Sequence, residues 1–524
     1  MPGTITGRGV STEGMPSGVY PIGAAATSIA AFAGWAPQGP ADQATRVVSW
    51  ADYQTQFGGF DARSYLGYAV NEFFNNGGQQ AYIVRLVWNG SLTAASGSPT
   101  ACATATASSV GGTLTLWARN PGAWGNSIQV SVVAAASDPG RFGLQVQLGG
   151  SLVENFANLS VDSTDPQYAV TAIESGSQYL TFVNPATTLA AAPTAVPKAT
   201  AAPVSLSGGA DGTALVPSSD GNFEVALTSS ATGGIHLLNG VAAFNLLCVP
   251  GETDEATIQK LQDYCALKRA FYIVDSPQGA TAASLSVSGP AGTVVPGSSS
   301  ASLTSTPNAA NSAYYFPWVS IPDPLSGGQP KLVPPGGFVA GIYAATDTAR
   351  GVWKAPAGSA AVLTGALGLQ YNLTDLESAS LSGQAINSLR QFAAIGDVVW
   401  GARTLEGSDQ GGSQWKYVPV RRLALFIESS LYQGTQWVVF EPNDETLWAS
   451  IRLNVSTFLQ SLFVQGALVG AAPQQAYFVK CDADNNPQSS IDSGVVNILV
   501  GFAPVLPAEF VIIQIQQIAG QQSS

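Results

Sequence analysis

The run Glu509-Phe510-Val511-Ile512-Ile513-Gln514-Ile515-Gln516-Gln517-Ile518 is the stretch that most constrains this chain. It is mostly β-branched or aromatic, with Gln514 and Gln516 alternating against Ile513 and Ile515, and so reads as a strong β-strand. Pro504 and Pro507 separate it from whatever precedes it. A strand this apolar near a terminus invites pairing unless a partner covers it. The run is therefore expected to be an arm that adds to a sheet in a neighbouring subunit. Residues 1–24, rich in Gly, Pro, Ser and Thr and ending in Gly18-Val19-Tyr20-Pro21, read as a second extended arm, because Pro16 and Pro21 oppose helix. Frayed termini are the plainer reading of both.

Between the ends the pattern is mixed α/β. Ser28–Ala36 predicts a buried strand. Ser49 can cap a helix over Trp50–Phe57, and Tyr65–Asn75 a second helix before a strand at Ala81–Val87. The pattern resumes with strands at Phe244–Val249 and Arg269–Val274 around a helix near Asp254–Lys268. Ile258, Leu261, Tyr264 and Cys265 form the inner stripe of that helix. A further helix is expected over Gly337–Arg350, with Val339, Ile342 and Tyr343 inward. Residues 92–204 change character: short alternating runs at Thr113–Trp117, Ile128–Val133 and Leu144–Leu148 predict an inserted β-sandwich or barrel. Residues 278–312 read as a low-complexity stretch, a surface excursion or a disordered loop.

Toward the C-terminus the expected strands are Val398–Trp400, Tyr417–Val420, Tyr477–Lys480 and Gly494–Phe502. The expected helices are Leu423–Leu431 and a long one capped by Asn443 or Asp444, whose apolar positions run from Leu447 to Phe463. Trp400 and Trp437 are expected in the core. The resulting division is an N-terminal arm (1–24), an α/β domain (25–91 and 205–365), an inserted β domain (92–204), a compact α+β domain (366–508) and a C-terminal arm (509–524).

Charge narrows the function. Only 10% of residues are charged, against roughly 25% in ordinary soluble domains. A surface so poor in charge suits a protein covered by copies of itself. The balance of 33 acidic and 20 basic residues, with no long basic cluster, excludes a nucleic-acid reader. The uncharged run Asn454–Val479 is broken by Gln, Gly and Pro, so a core helix and turn is expected there and not a membrane span. Met1–Val10 has no basic and apolar leader pattern, which points to folding in the cytoplasm. Four scattered cysteines indicate neither a zinc site nor a disulfide framework. The single histidine, His236, has no acidic neighbour in sequence, and a structural role outweighs a catalytic one. Leu206–Gly212 (LSGGADG) reads as a tight turn and Asp482–Asn486 as a solvated turn, not a calcium loop. No catalytic, cofactor or metal residue is expected.

Several stretches, taken together, resemble the contractile tail sheath proteins of bacteriophages and of phage-tail-like injection systems. They are Gly18-Val19-Tyr20, Ser49–Gly59 with Asn71–Leu86, Asn120–Asn126 (NPGAWGN) and Tyr314–Trp318. To these add Pro334–Pro356, Val399–Leu405, Val418–Trp448 and Ala503–Ile513. The resemblance implies a subtilisin-like α/β domain without catalytic residues, carrying an inserted β-sandwich. It further implies stacked hexameric rings around an inner tube, joined by exchanged terminal strands and contracting from a metastable extended state. Implied partners are further copies of the chain, the inner tube, baseplate and tail-terminator or cap proteins, and sister sheath subunits. The setting would be bacterial cytoplasm during assembly, then a phage tail or released or cell-anchored particle.

On that reading Phe510, Val511, Ile513 and Ile515, with Val19 and Tyr20, are the inter-subunit arm residues. Arg421, Arg422, Glu441, Asp444 and Glu445 are candidate contacts to tube or neighbour, with intramolecular ion pairs and helix caps the equal alternative. Competing functions are a degenerate subtilisin-like hydrolase, or a non-contractile tail or baseplate component.

Overall fold

The computed structural model describes residues 20–87, 104–105, 114–135, 138–184, 190–213, 215–219, 221–228, 230–292 and 302–509. Val19, Phe510, Val511, Ile513 and Ile515 lie outside the described residues. The chain divides into two compact units, Ala26–Arg422 and the pair of segments Met1–Ala25 and Leu423–Ser524.

The larger unit is built on an eight-stranded sheet. Its order is Gly396–Val399, Ile386–Phe392, Ser312–Phe316, Phe271–Asp275, Leu246–Cys248, Ala30–Trp35, Ala81–Leu86, Thr45–Val47. The six inner strands are parallel, and one antiparallel strand closes each edge. Ala30–Trp35 and Phe271–Asp275 are buried throughout, as a parallel sheet covered on both faces requires. Local signals placed the helices well. Ser49 Oγ accepts from Asp52 N at the start of Trp50–Phe57, and Asp254 caps Glu255–Lys268 through Thr257 N. Helix Gly336–Arg350 crosses helix Leu66–Asn75 at backbone contact: a Cβ on Gly337 would sit 2.4 Å from the Ala69 carbonyl oxygen.

Residues 114–206 form a second core of their own. A four-stranded antiparallel sheet (Val204–Ser205, Ile128–Ala134, Arg141–Leu148, Ser151–Ser160) alternates buried Val130, Val132, Leu144 and Val146 with partly exposed neighbours. A short three-stranded sheet and a helix, Ala169–Gly176, cover it. That helix is absent from the all-β expectation. The expected excursion at 278–312 also holds a helix, Ala282–Ser288, closed by a Thr281/Ser284 capping box.

Two boundaries need correction. The division at 365/366 cuts the central sheet, because Ile386–Phe392 and Gly396–Val399 pair onto Ser312–Phe316. Tyr417–Val420 is not a strand; Val418 opens a helix that runs to Gly434 and absorbs the expected Leu423–Leu431 helix. Pro419 sits in the first turn, where its missing N–H costs nothing. Among the described residues no helix is long and apolar enough to cross a membrane. The Asn454–Val479 run is instead the end of helix Glu445–Val464, a turn, and the start of a hairpin.

One buried group in the larger unit makes folding pH-dependent. Glu72, on Leu66–Asn75, is buried, and Asn71 Nδ2 donates to its Oε1. Burial pushes its carboxyl up to about 7, against an opposing pull from Asn71 and Asn75. A folded-state value above the unfolded one gives stability that is complete below about pH 4 and lost as pH rises toward 7. Glu72→Gln should therefore melt with the parent protein at pH 4. At pH 8 it should be more stable, by up to about 3 kcal/mol. Equal melting temperatures at pH 8 would contradict the assignment.

Candidate functional site

Within the smaller unit, the segment from Tyr20 to Ala25 lies along two helices, Val418–Gly434 and Glu445–Val464. Tyr20 N donates to Asn454 Oδ1 (3.1 Å) and Ala25 N to Ser430 Oγ (3.0 Å). A Cβ on Gly434 would come within 2.6 Å of Ile22, so only glycine lets the segment this close to the helix end. The Tyr20 ring stacks on Trp437 at 4.1 Å and 16°. Tyr20, expected in the inter-subunit arm, thus makes contacts within its own chain, and the residues before it lie outside the described ones.

The opposite end of the chain leaves from a two-stranded antiparallel sheet, Tyr477–Lys480 with Leu499–Phe502. Tyr477 OH donates to Gln460 Oε1, fixing the hairpin on the long helix. The expected strand from Gly494 is shorter because Asn485, Asn486 and Asn497 bond among themselves and to backbone, which organises the 482–497 loop around the short helix Gln488–Asp492. The Phe478 ring covers Gly501 on the neighbouring strand, where a Cβ would lie 2.1 Å from it. Phe478 nevertheless remains 53% exposed. Beyond Phe502 the chain crosses back beside Ala467–Val469, with Val469 N donating to the Ala503 carbonyl, and it reaches Glu509 with Leu506 exposed. Among the described residues the hairpin has no third strand.

Apolar surface gathers in this unit. Tyr432, Val439, Phe440, Leu453, Val464, Val469, Phe478, Val495, Leu499 and Leu506 are all exposed. Contiguous exposed apolar surface marks interaction sites more often than accident.

The charged candidates separate. Arg422 is enclosed: its Nη1 and Nη2 donate to Asp347 Oδ1 and Oδ2 at 2.9 and 2.6 Å, Nη2 also donates to the Thr27 carbonyl, and its plane lies over Tyr343. Arg421 Nε donates to Asn311 Oδ1 and the guanidinium covers Trp415. Asp444 caps the long helix through Leu447 N, and Glu445 pairs with Arg452 at 2.6 Å. Glu441 is exposed. Arg421, Arg422, Asp444 and Glu445 thus all have partners within the chain, while Glu441 faces solvent. Trp400 is not a core residue: it is 41% exposed, resting on Phe392. Trp437 is half-buried, with Tyr20 stacked on its ring.

Elsewhere the buried ionisable groups serve the fold. Asp275 accepts from Gly251 N and Gly336 N at the start of a helix, and burial pushes its carboxyl up to about 7. His236 lies in a 3-10 turn, Gly234–Gly240, edge-on to Tyr264. Burial pushes the Cys248 and Cys265 thiols up. Among the described residues no cluster of acidic, His and Cys side chains could hold a metal.

Sequence reasoning missed one clasp. Asp211, in the expected LSGGADG turn, accepts from Ala123 N (2.7 Å) and from Arg63 Nη1 (2.9 Å), while Asn126 and Gly209 exchange reciprocal bonds. The two loops are far apart in sequence, and only the glycine and Asx content of each hinted at turn chemistry.

Comparison with known proteins adds to this geometry. Residues 231–405 match the phage tail sheath protein central domain, and residues 410–518 the phage tail sheath C-terminal domain. A tail sheath protein of Vibrio phage KVP40 is 29% identical over 163 residues, 31% of this chain and 23% of that protein. This chain therefore aligns with under a quarter of that relative's length. A prophage major tail sheath protein of Pseudomonas aeruginosa (strain UCBPP-PA14) is 25% identical over 296 residues, 54% of this chain and 69% of the relative. Among solved structures, the PVC sheath complex of an extracellular contractile injection system, in its contracted state, superposes with a TM-score of 0.57. It is 22% identical, over 98% of this chain and 99% of the other. A sheath tail protein of Listeria innocua gives a TM-score of 0.60 at 13% identity over 92% and 96%. At these identities the structural likeness establishes the fold.

Proposed function

Since the chain belongs to the contractile tail sheath family, a structural family of phage tails and phage-tail-like particles, we propose that it polymerises around an inner tube as stacked hexameric rings. Each ring is tied to the next by exchanged terminal strands. The observation that carries this reading is the hairpin Tyr477–Lys480/Leu499–Phe502. Two strands alone are marginal in water, and among the described residues no third strand pairs along Tyr477–Lys480 or Leu499–Phe502. The apolar run from Glu509 has the composition to complete such a sheet on another copy. Phe510, Val511, Ile513 and Ile515 then line that pairing, with Val19 and its neighbours at the other edge.

Contraction follows from the same arrangement. Tethers of extended chain let rigid subunits rotate and slide without separating. An extended lattice that buries less surface than the contracted one releases free energy without nucleotide, stored when the particle is built. The larger unit, subtilisin-like in this reading, is a scaffold and not a hydrolase. Inner tube, baseplate, terminator and sister sheath proteins are the expected partners, met during assembly in the bacterial cytoplasm. Tyr20 moves out of the exchanged set, because it is held by Trp437 of its own chain.

Electron microscopy of the full chain produced with its tube and baseplate neighbours should show ring-stacked tubes in two lengths, long before triggering and short after it. Tubes of one fixed length would favour the non-contractile alternative.

A further inference from the structure

The loop between the two long helices of the smaller unit holds the most exposed large side chain described. Val438-Val439-Phe440-Glu441 is a type II turn: Glu441 N donates to the Val438 carbonyl at 3.2 Å, Val439 has φ −67° and ψ 127°, and Phe440 has φ +72°. The third position of such a turn is a glycine position, because a left-handed φ crowds any Cβ. Here it carries a phenylalanine whose side chain is fully exposed. Folding alone would favour glycine twice over, once for the backbone and once for the surface. A strained residue held against both preferences is a pointer to function.

The turn is also held firmly. Asn443 Nδ2 donates to the Val495 carbonyl, and Asn443 Oδ1 accepts from Trp448 Nε1. Val439 is exposed beside the ring, and the exposed carboxylate of Glu441 follows it. The result is a rigid aromatic prong with a negative flank.

The larger unit carries a complementary feature. Arg350 ends helix Gly336–Arg350 and is exposed. Lys354 follows one turn later and donates to the Ala355 carbonyl. Among the described residues neither cation lies within 4 Å of a carboxylate. Between them the half-exposed Trp353 ring lies flat on Gly351, where a Cβ would meet it at 2.5 Å. Arg350 and Lys354 therefore bracket Trp353 in sequence, and Arg350 lies near enough to Lys354 to act on its charge.

We propose that Phe440 docks on a second copy of this chain, its ring against Trp353 and Glu441 between Arg350 and Lys354. The inference rests on the reading of the chain as a self-assembling sheath subunit. It adds a contact made by folded surfaces to the one made by exchanged strands. Because every copy carries both prong and socket, the contact is heterologous and propagates along a lattice. Aromatic and arginine anchors of this kind dominate interface energetics.

The test uses the full chain in assembling preparations. Phe440→Gly should melt about 2 °C higher than the parent protein, yet need at least tenfold more protein to polymerise. Glu441→Lys should show the same assembly loss, and adding Lys354→Glu should restore it. A photo-crosslinking benzoylphenylalanine at position 440 should capture the peptide containing 350–354 of another copy, identified by mixing isotopically labelled and unlabelled chains. Unimpaired polymerisation by Phe440→Gly overturns the proposal. So does a crosslink to the inner tube protein or to any other segment. If the parent protein forms polymers while the crosslink goes elsewhere, this inference alone fails. If the parent protein forms none with its neighbours present, the sheath reading fails and this inference with it.

Discussion

Deleting Glu509–Ser524 should leave a soluble subunit with unchanged circular dichroism and melting temperature that no longer forms sheath tubes. The described chain closes its own contacts before this point: Val469 N binds the Ala503 carbonyl, and Leu468 bridges Pro504. Among the described residues, no buried core side chain of the smaller unit comes from beyond residue 505. The loss falls on association. A ten-residue strand spans about 33 Å, enough to reach a neighbouring subunit. Each ladder hydrogen bond contributes only about 1 kcal/mol net. The strength lies in repetition, since a subunit tied at several points by chain segments rebinds at high effective concentration before it can leave. Removing one tether per copy throughout a lattice removes that advantage everywhere at once. Sheaths of normal yield and length from the truncated chain, seen in negative stain, would end the strand-exchange reading.

The elements legible from sequence were those whose signals are local. Ser49 and Asp444 each sit where a capping side chain is expected, and each accepts from the first turn of its helix. The apolar stripe Ile258, Leu261, Tyr264 and Cys265 is buried because a 3.6-residue period leaves few alternatives. Failures came where a distant partner decides. Ile386–Phe392 reads poorly as a strand, since Asn387 and Ser388 interrupt its apolar residues. Yet Asn387 is buried, donating to the Tyr314 and Arg403 carbonyls and accepting from Arg403 N, and these bonds make a polar residue tolerable in the sheet. Tyr417–Val420 is too short a β-prone run to be told from a helix start by periodicity. Trp400 and Trp437 looked like core residues by type, and only the fold shows one on an exposed edge and the other roofed by Tyr20. The hairpin Tyr477–Lys480/Leu499–Phe502 was legible as strands, but its missing neighbours were not.

Arg422 illustrates how an assembly phenotype can mislead. Its guanidinium and the Asp347 carboxylate are each only 3% exposed, bound bidentately, with the Thr27 carbonyl and the Tyr343 ring taking up the remaining faces. Breaking such a pair from one side leaves a buried charge uncompensated, which costs about 3–5 kcal/mol. Asp347→Ala should therefore lower the stability of the larger unit by that order, and Arg422→Glu, which sets two carboxylates face to face, by at least as much. Replacing both partners at once, Asp347→Leu with Arg422→Met, should recover most of the loss, because two apolar side chains no longer need each other's charge. All of these variants would assemble poorly if merely unfolded, so chemical denaturation of the isolated subunit has to come before any count of tubes. Arg422→Glu with unchanged unfolding but no tubes would reassign the residue from the core to an interface. Loss of stability with rescue in the double variant fixes it inside, and leaves Glu441, exposed on the turn behind Phe440, as the charge available to a neighbour.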